Sequence, residues 1–395
     1  MILLKIFLIS YVASQSDASD DFYKPLSTFA IKLFQKATDK VYGNVMISPM
    51  SIDSALTMAM YGANGDTKTS LFNGLYYSSF GSLSYDTVLN NFQQMMKNLN
   101  GNQALQMAIK IYVTDQYNLS LYFKSIATDS FLSEIESINF EKNVDAANTI
   151  NNWVSSKTNQ RIQNLIDPSS LINATRLVFI NTIFFTAFWI KKFPAVNTKP
   201  DKFYTGPNSY VKGDFMNMMD FINFADFPEL NATAVKLDYK NSPMTMIILL
   251  PNSRTGLAYM KSQLDQIDWA NIQNRFSLQT TVLKIPKFKY SYQIDVKTTL
   301  KKMGLSLMFE DKADFTNMIN NYNCILKIDK VLHKTFISVH ENGTEAAAAT
   351  GIDFAGSGPP TKPINFIANH PFIFMLQYAG KSVHFIGQVS TLINI

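Results

Sequence analysis

Apolar residues recur at helical spacing early in the chain and fill short uninterrupted runs later. The helical spacing predicts helices over residues 25–38, 51–62 and 147–166. Continuous apolar runs of strand length at 177–185 and 244–250 predict strands that are buried on both faces.

Strand-like segments dominate the last hundred residues. Residues 281–290 alternate between apolar and polar but are interrupted by Pro286, which fits an edge strand or a bulge. Helices therefore concentrate early and strands late, and neither a repeat period nor a linker rich in Pro, Gly or Ser divides the chain. This order favours an α+β fold over a doubly wound α/β fold.

Composition narrows the class of protein. The 395 residues are 47% hydrophobic and 16% charged, which is typical of a globular chain with a large core. A net charge of +5 is too small to indicate nucleic-acid binding. The single cysteine, Cys324, excludes an intramolecular disulfide, so the fold must be held by burial.

The N-terminus indicates secretion. Residues 1–13 form an apolar run with one lysine, followed by small and polar residues, which is typical of a signal peptide rather than of a buried first element. We predict a signal peptide over residues 1–16, with cleavage between 14 and 19, and a soluble extracellular monomer without a membrane span. Four N-x-S/T sequons fit that compartment: Asn118, Asn173, Asn231 and Asn342.

Enzyme signatures are weak. The histidines (His333, His340, His370 and His384) have no metal-ligand spacing, and no nucleophile elbow or phosphate-binding glycine loop occurs. Cys324 suits a buried inert thiol better than a nucleophile. The sequence therefore argues against an enzyme, a metal and a cofactor.

The most informative segment is residues 341–362, which read ENGTEAAAATGIDFAGSGPPTK. Composition alone allows a flexible exposed loop or a short alanine-rich helix. A period of two instead places small and apolar residues on one face, namely Thr344, Ala346, Ala348, Thr350, Ile352 and Phe354. The opposite face carries both acids of the stretch, and no proline interrupts it before residue 359. A segment that is held outside a sheet and later joins it as a strand needs such a pattern, whereas a permanent surface loop does not.

Several motifs resemble the serpin family over essentially the whole mature chain. They are FIANHPFIFML (366–376), FIGQV (385–389), GTEAAAAT (343–350), the His333-Lys334 pair, NVMISPMSI (44–52), LVFINTIFFTAFWIKKF (177–193) and ADFTNM (313–318). Three residues depart from the family pattern. Ile109 replaces a usual Asn, and Gln160 and Asn317 replace usual glycines.

The resemblance implies one serpin-like domain over residues 17–395. Its expected fold has a large central β-sheet, further sheets, about nine helices and an exposed reactive loop at 341–362. The implied function is suicide-substrate inhibition of serine proteases: the loop is cut, an acyl-enzyme forms, and the cut loop inserts into the central sheet and traps the protease. A strand from 344 to 357 spans roughly 46 Å, enough to carry the enzyme across a domain.

The resemblance also implies the functional residues. The hinge is Glu341, Gly343, Thr344, Glu345, Ala346, Ala347, Ala348, Ala349 and Thr350. Ser48, Ser51, Asn181 and His333 match the polar cluster at the centre of the sheet, called the shutter. Trp189 matches the residue at the top of the insertion gap, called the breach.

The family spacing places the scissile bond at Ser357–Gly358, which suits elastase-like proteases with small specificity pockets. Phe354 is the alternative, for a chymotrypsin-like protease. No Lys or Arg occurs from 345 to 361, which disfavours trypsin-like targets.

Two further questions stay open at the sequence level. Some serpins carry ligands or act as chaperones, and a non-inhibitory carrier is the alternative function. Lysines at 284, 287, 289, 301 and 302 fit either a weak polyanion-binding patch or a solvated charged face. A glycan on Asn342 at the hinge would slow insertion or shield the loop, and the alternative is that this sequon is unoccupied.

Overall fold

The computed structural model describes residues 20–100, 104–320, 325–344 and 362–392. Helices α1 to α8 of these residues span Asp20–Ala37, Pro49–Gly62, Gly65–Gly74, Tyr85–Asn100, Leu121–Ser125, Asn143–Lys157, Leu257–Gln263 and Lys297–Lys302. Strands β1 to β16 span Val45–Ile47, Leu105–Thr114, Glu134–Ile138, Leu177–Phe185, Ala187–Phe188, Lys199–Tyr204, Tyr210–Phe227, Ala232–Asp238, Met244–Pro251, Ser277–Pro286, Phe288–Asp295, Lys330–His340, Gly343–Thr344, Ile364–Ile367, Phe372–Tyr378 and Ser382–Val389.

The strands form two sheets. The seven-stranded sheet has the order β3-β2-β4-β12-β13-β5, and β11 pairs with β12 over residues 332–339. The nine-stranded sheet has the order β1-β16-β15-β9-β8-β7-β10-β14, and β6 pairs with β7. Helices mostly precede strands along the chain, so the predicted α+β class is confirmed.

Helix α2 lies where the two sheets meet. Pro49 occupies its first turn, where a missing N–H costs nothing, and the Ser48 side chain caps it by accepting from the N–H of Ser51. Every residue of α2 is buried, and the helix contacts β4 of one sheet and β16 of the other. It therefore brings polar side chains from its first turn to the centre of the seven-stranded sheet.

The centre of that sheet contains a parallel seam between β4 and β12. Seven registered pairs join the two strands, from Val178 opposite Lys330 to Phe184 opposite Phe336. Beyond Phe336 the strands diverge, and β13 fills the space between β12 and β5. The sheet is thus closed over most of the seam and open at one end.

Two predicted elements are wrong in their extents. The helix predicted over 147–166 begins earlier and ends at Lys157, because Asn159, Gln160 and Asn164 adopt left-handed backbone conformations that cannot continue a helix. The strand predicted over 281–290 is two strands in different sheets, separated at Lys287. No helix of the described ranges is long and apolar enough to cross a membrane.

Candidate functional site

The hinge sequence enters the seven-stranded sheet at its open end. Gly343 and Thr344 form β13, which pairs antiparallel with His340 and Val339 of β12 on one side. On the other side the same two residues pair with β5, at Phe188 and Ala187. Thr344, the first residue of the predicted insertion strand, and Gly343 before it are therefore already in the sheet.

Thr344 is anchored by an aromatic pair. Its side chain is 1% exposed, and its hydroxyl oxygen is 2.8 Å from that of Tyr239. The Tyr239 ring stacks on the indole of Trp189, with centroids 4.4 Å apart. Trp189 Nε1 donates to the carbonyl oxygen of His340 (3.0 Å), and the Trp189 N–H donates to that of Asn342 (2.9 Å). The predicted breach residue thus holds both the hinge and the end of β12.

Only glycine fits at position 343. Its φ is +152°, and a Cβ built there would lie 2.1 Å from the carbonyl oxygen of Ala187 and 2.7 Å from Cα of Phe188. Both contacts are with backbone atoms, which cannot rotate away. The strand β13 therefore depends on the absence of a side chain at this residue.

Glu341 fixes the chain just before β13. Its Oε1 accepts from the Thr198 hydroxyl (2.9 Å) and pairs with Lys287 Nζ (3.2 Å). Its carbonyl oxygen accepts from the N–H of Phe193 (3.0 Å). Burial raises the pKa of Glu341, but hydrogen bonds from its own backbone, Thr198 and Lys287 outweigh burial and hold that pKa below its usual value.

The predicted shutter residues form one hydrogen-bonded cluster. Ser51 Oγ donates to Asn181 Oδ1 (2.6 Å), and Asn181 Nδ2 donates to the carbonyl oxygen of Ser51. Ser48 Oγ donates to the carbonyl oxygen of His384 (2.6 Å). His333 lies between them, with Nε2 2.9 Å from the Ser48 nitrogen and Nδ1 3.1 Å from Asn181 Oδ1. The cluster joins α2, β4, β12 and β16.

His333 is neutral in this cluster. Its Nε2 accepts from the Ser48 N–H, so Nδ1 carries the proton and donates to Asn181. Burial lowers the pKa of His333 to about 3, and the hydrogen bond with Asn181 offsets only part of that. A second proton would place a buried N–H against the N–H of Ser48. The ring is therefore a structural hydrogen-bond bridge and not a base.

The three departures from the family pattern have local consequences. Ile109 of β2 lies opposite Asn181 and is buried, so this side of the cluster is apolar. Gln160 has a φ of +61°, the conformation that glycine adopts without strain. Asn317 Nδ2 donates to the carbonyl oxygen of Ala63 (3.0 Å), which replaces the freedom of a glycine by a fixed contact.

Several predicted residues lie outside the described part of the chain. These are the scissile pair Ser357 and Gly358, the alternative Phe354, the hinge residues Glu345, Ala346, Ala347, Ala348, Ala349 and Thr350, residues 1–16 and Cys324. Of the four sequons, Asn118, Asn173 and Asn231 are exposed, whereas Asn342 is half-buried beside the breach.

The five lysines that suggested a polyanion patch are dispersed. Lys284 pairs with Asp201 and Lys287 pairs with Glu341, so two of the five charges are neutralised. Lys289 lies on β11, while residues 301 and 302 lie on α8. This arrangement favours the solvated-face interpretation over a polyanion site.

Sequence reasoning missed Tyr239 and Thr198. Tyr239 follows β8 and lies 105 residues from Thr344 in sequence, and Thr198 lies 143 residues from Glu341. Each contact requires the tertiary arrangement of strands from both sheets. No local pattern in the sequence links either residue to the hinge.

Comparisons with known proteins agree with this architecture. A family model described as Serpin (serine protease inhibitor) matches residues 24–392. Among curated proteins, Serpin B4 of Homo sapiens is 31% identical over 92% of this chain and 97% of its own length. The leukocyte elastase inhibitor of Bos taurus is 30% identical over the same shares. A solved structure, cleaved Serpin 42Da, superposes with a TM-score of 0.86 at 33% identity, over 95% of this chain and 100% of that one.

Proposed function

Because the chain belongs to the serpin family of serine protease inhibitors, we propose that it inhibits a serine protease by trapping it as an acyl-enzyme. The reactive loop is the segment between β13 and β14, and the bond attacked is Ser357–Gly358. The alternative within the family is a carrier whose loop is cut without trapping anything.

The observation that supports inhibition is the position of Thr344. Its side chain is buried on Tyr239 between β12 and β5, at the point where the seam between β4 and β12 opens. Because side chains alternate along a strand, further insertion would place Ala346, Ala348 and Thr350 on this same buried face. Those side chains are small, so they can enter between β4 and β12 without steric conflict.

The trapping reaction follows from ordinary acyl transfer. The protease serine attacks the carbonyl carbon of Ser357, the amide bond to Gly358 breaks, and the new amine of Gly358 leaves with a proton from the protease histidine. An ester then links Ser357 to the protease. Insertion of the cut loop as a strand roughly 46 Å long would carry this ester across the domain before water hydrolyses it.

Target preference is set by the residue before the cut. A serine there fits a shallow pocket of the elastase type, and the named relative that inhibits leukocyte elastase is compatible with this choice. The absence of Lys and Arg from 345 to 361 leaves no side chain for the acidic pocket of trypsin-like enzymes.

The test is to incubate the full mature chain with pancreatic elastase, chymotrypsin and trypsin separately, followed by denaturing electrophoresis. We expect a covalent band at the summed mass with elastase, and its transfer to trypsin for Ser357→Arg. A band with chymotrypsin that Phe354→Ala abolishes would move the scissile bond to Phe354. Loop cleavage by all three enzymes without any covalent band would contradict inhibition and leave the carrier function.

We also propose that the protein acts outside the cell after removal of residues 1–16, on the strength of its N-terminal sequence. Expression in a secreting eukaryotic cell with N-terminal sequencing of the medium protein tests this. Retention of an intact N-terminus inside the cell would contradict it.

Mobility shifts after deglycosylation of Asn342→Gln and the parent would show whether that sequon carries a glycan.

A further inference from the structure

The first turn of α5 carries two large apolar side chains that the fold leaves in water. Leu121 is 79% exposed and Tyr122 is 55% exposed, whereas Phe123 is fully buried. Consecutive residues of a helix point in directions about 100° apart, so the core receives only one of these three side chains. We call Leu121 and Tyr122 the α5 apolar pair. Single exposed apolar side chains are common on protein surfaces, but adjacent ones indicate an interaction surface.

An N-glycosylation sequon immediately precedes this pair. It consists of Asn118, Leu119 and Ser120, and Asn118 is exposed. The carbonyl oxygen of Asn118 accepts from the N–H of Asn320 (2.8 Å), and the N–H of Ser120 donates to the carbonyl oxygen of Met318 (2.9 Å). These two backbone hydrogen bonds fix the sequon, so the glycan acceptor starts from a defined point beside α5.

Helix geometry directs the α5 apolar pair toward that acceptor. The Cα–Cβ bonds of a helix tilt toward its N-terminus, so each side chain covers the surface over the turn that precedes its own Cα. For Leu121 and Tyr122 this surface is the sequon. Leu121 follows Asn118 by three residues, so their Cα atoms lie at most about 11 Å apart. An asparagine side chain and the first two sugar rings of an N-glycan together span that distance.

The other three sequons lack such neighbours. The residues on either side of Asn231 are buried. Asn342 is itself half-buried, and Asn173 follows a single exposed apolar residue, Ile172. Of the four sequons, the Asn118 sequon is therefore the one that is followed by two adjacent exposed apolar side chains.

We propose that Asn118 carries an N-linked glycan whose first N-acetylglucosamine packs on the α5 apolar pair and covers it. One face of a pyranose ring presents C–H groups, which suit the aliphatic Leu121 side chain and the electron-rich face of the Tyr122 ring. The hydroxyl and acetamido groups at the edge of the sugar stay in water. The inference rests on the proposal that the chain is secreted, since the sugar is added in the secretory pathway.

Attachment is a group transfer from a lipid-linked sugar diphosphate. The Asn118 amide nitrogen forms a bond to C1 of the sugar, and the bond between C1 and the diphosphate oxygen breaks. The diphosphate leaves with the electron pair, and the amide nitrogen loses one of its two protons to a base of the transferase. The glycosylated amide keeps one N–H, so it can still donate a hydrogen bond.

The experiment uses the full chain expressed in a secreting eukaryotic cell. The proteins are the parent, Asn118→Gln, Leu121→Ser/Tyr122→Ser and the triple variant that combines them. Glycopeptide mass spectrometry of the parent gives the occupancy of each sequon. Hydroxyl-radical oxidation then measures the accessibility of Tyr122, with Tyr42, which is 89% exposed between α1 and β1, as the internal reference.

Enzymatic removal of the sugar keeps the comparison independent of how well Asn118→Gln folds. One portion of the folded parent would be trimmed to the first sugar by an endoglycosidase. Another portion would be stripped of all sugar by an amidase. Both portions are oxidised beside the untreated parent.

We expect Asn118 to be occupied, and Tyr122 to be oxidised several-fold more slowly in the untreated and trimmed proteins than in the stripped protein or Asn118→Gln. Asn118→Gln should also bind several-fold more of a dye that fluoresces on apolar surfaces. That gain should vanish in the triple variant, because the α5 apolar pair is then absent and the glycan has nothing to cover.

Three results from a secreted protein would overturn the inference. One is a parent with glycan on Asn173 or Asn231 but none on Asn118, which would leave secretion intact. A second is a glycan on Asn118 whose removal does not change the oxidation of Tyr122, since the sugar would then extend into solvent. The third is a glycosylated parent that forms dimers by size-exclusion chromatography while Leu121→Ser/Tyr122→Ser is monomeric, which would make the pair a contact between copies of this chain. A chain that stays inside the cell without glycan on any sequon would contradict secretion and the inference together.

Discussion

Asn181 and His333 lie directly opposite each other on β4 and β12, with Asn181 Oδ1 3.1 Å from His333 Nδ1. This hydrogen bond crosses the seam through which the loop would pass in the proposed mechanism, so insertion beyond this level would break it. Asn181 is also bound to Ser51 of α2, and His333 accepts from Ser48 at the start of the same helix. Each side of the seam is therefore anchored to α2, which would provide a fixed base for the parting of the strands in the proposed mechanism.

Replacing Asn181 should weaken the seam. Asn181→Ala leaves the Nδ1–H of His333 buried without its acceptor, which costs about 1–3 kcal/mol. We expect a lower urea midpoint and faster formation of heat-induced polymers on native gels. Thr182→Val is the matched control, because Thr182 is the next residue of β4 and its buried hydroxyl has no partner among the described residues. Equal behaviour of the two variants would show that the Asn181–His333 bond does not hold the seam.

Asp53 should give the native state an unusual pH dependence. Its carboxyl is buried in α2, where Oδ1 accepts from Tyr77 (2.6 Å) and Thr57 (2.9 Å), and Oδ2 has no partner among the described residues. Burial raises the pKa of Asp53 to about 7, although both hydrogen bonds lower it. Between pH 4 and 7 the unfolded chain releases this proton first, so the Asp53 contribution to the free energy of unfolding falls as pH rises.

Asp53→Asn removes that dependence. Its stability relative to the parent should increase from pH 4.5 to 7.5, by about 3 kcal/mol. Burial lowers the pKa of His333 and of His384 to about 3, and their contributions rise with pH, but they are common to both proteins. Urea unfolding of parent and variant at the two pH values measures the difference. If the stability difference between variant and parent is the same at both pH values, the pKa of Asp53 does not differ between the folded and unfolded states, which contradicts this prediction.

Under the proposed mechanism, a charge at residue 344 should turn the protein from an inhibitor into a substrate. The Thr344 side chain is buried against Tyr239, and an arginine there would have to lose its hydration, at a cost of several kcal/mol. We expect Thr344→Arg to be cut at the parental rate but to give little covalent complex, because insertion is slowed more than deacylation. Thr344→Ser keeps the hydroxyl and should trap normally. An undiminished yield of complex for Thr344→Arg would contradict inward insertion of this residue.

A side chain at residue 343 should expel β13 from the sheet. The Cβ of Gly343→Ala would meet the carbonyl oxygen of Ala187, so the hinge must leave its position between β12 and β5. The Trp189 indole would then become exposed to water, and its fluorescence emission maximum should shift to a longer wavelength. Trp189→Phe would be made in the parent and in Gly343→Ala. Subtracting the spectrum of each Trp189→Phe protein removes the fluorescence of the other tryptophans. An unchanged Trp189 signal would mean that β13 stays in place.

The sequence predicted the parts of the fold that local patterns determine. The run at 177–185 became β4 with the same bounds, because seven apolar residues around the buried pair Asn181 and Thr182 fit a strand that is covered on both faces. The period of two placed Thr344 on an inward face, where it is found. The end of α6 was predicted too late, since the left-handed residues after Lys157 interrupt a pattern that remains apolar at helical spacing.

Long-range relationships were not predictable from local pattern. Ser48 and His333 are 285 residues apart, and only the family resemblance grouped them. The partners of the hinge, Tyr239 and Thr198, depend on how β8 and the segment before β6 approach the end of β12. The sequence shows that Lys287 is charged, but its pairing with Glu341 depends on where the connection between β10 and β11 places Lys287 in the fold.

The central claim is that the cut loop becomes a strand between β4 and β12, and thermal melting tests it most directly. The full mature chain would be nicked in the loop by a catalytic amount of elastase, confirmed by mass spectrometry, and melted beside the intact chain. Insertion of residues 345–357 adds backbone hydrogen bonds on both sides of a new strand, so we expect the melting temperature to rise by about 20 °C or more. A nicked chain that melts at or below the temperature of the intact chain would contradict loop insertion.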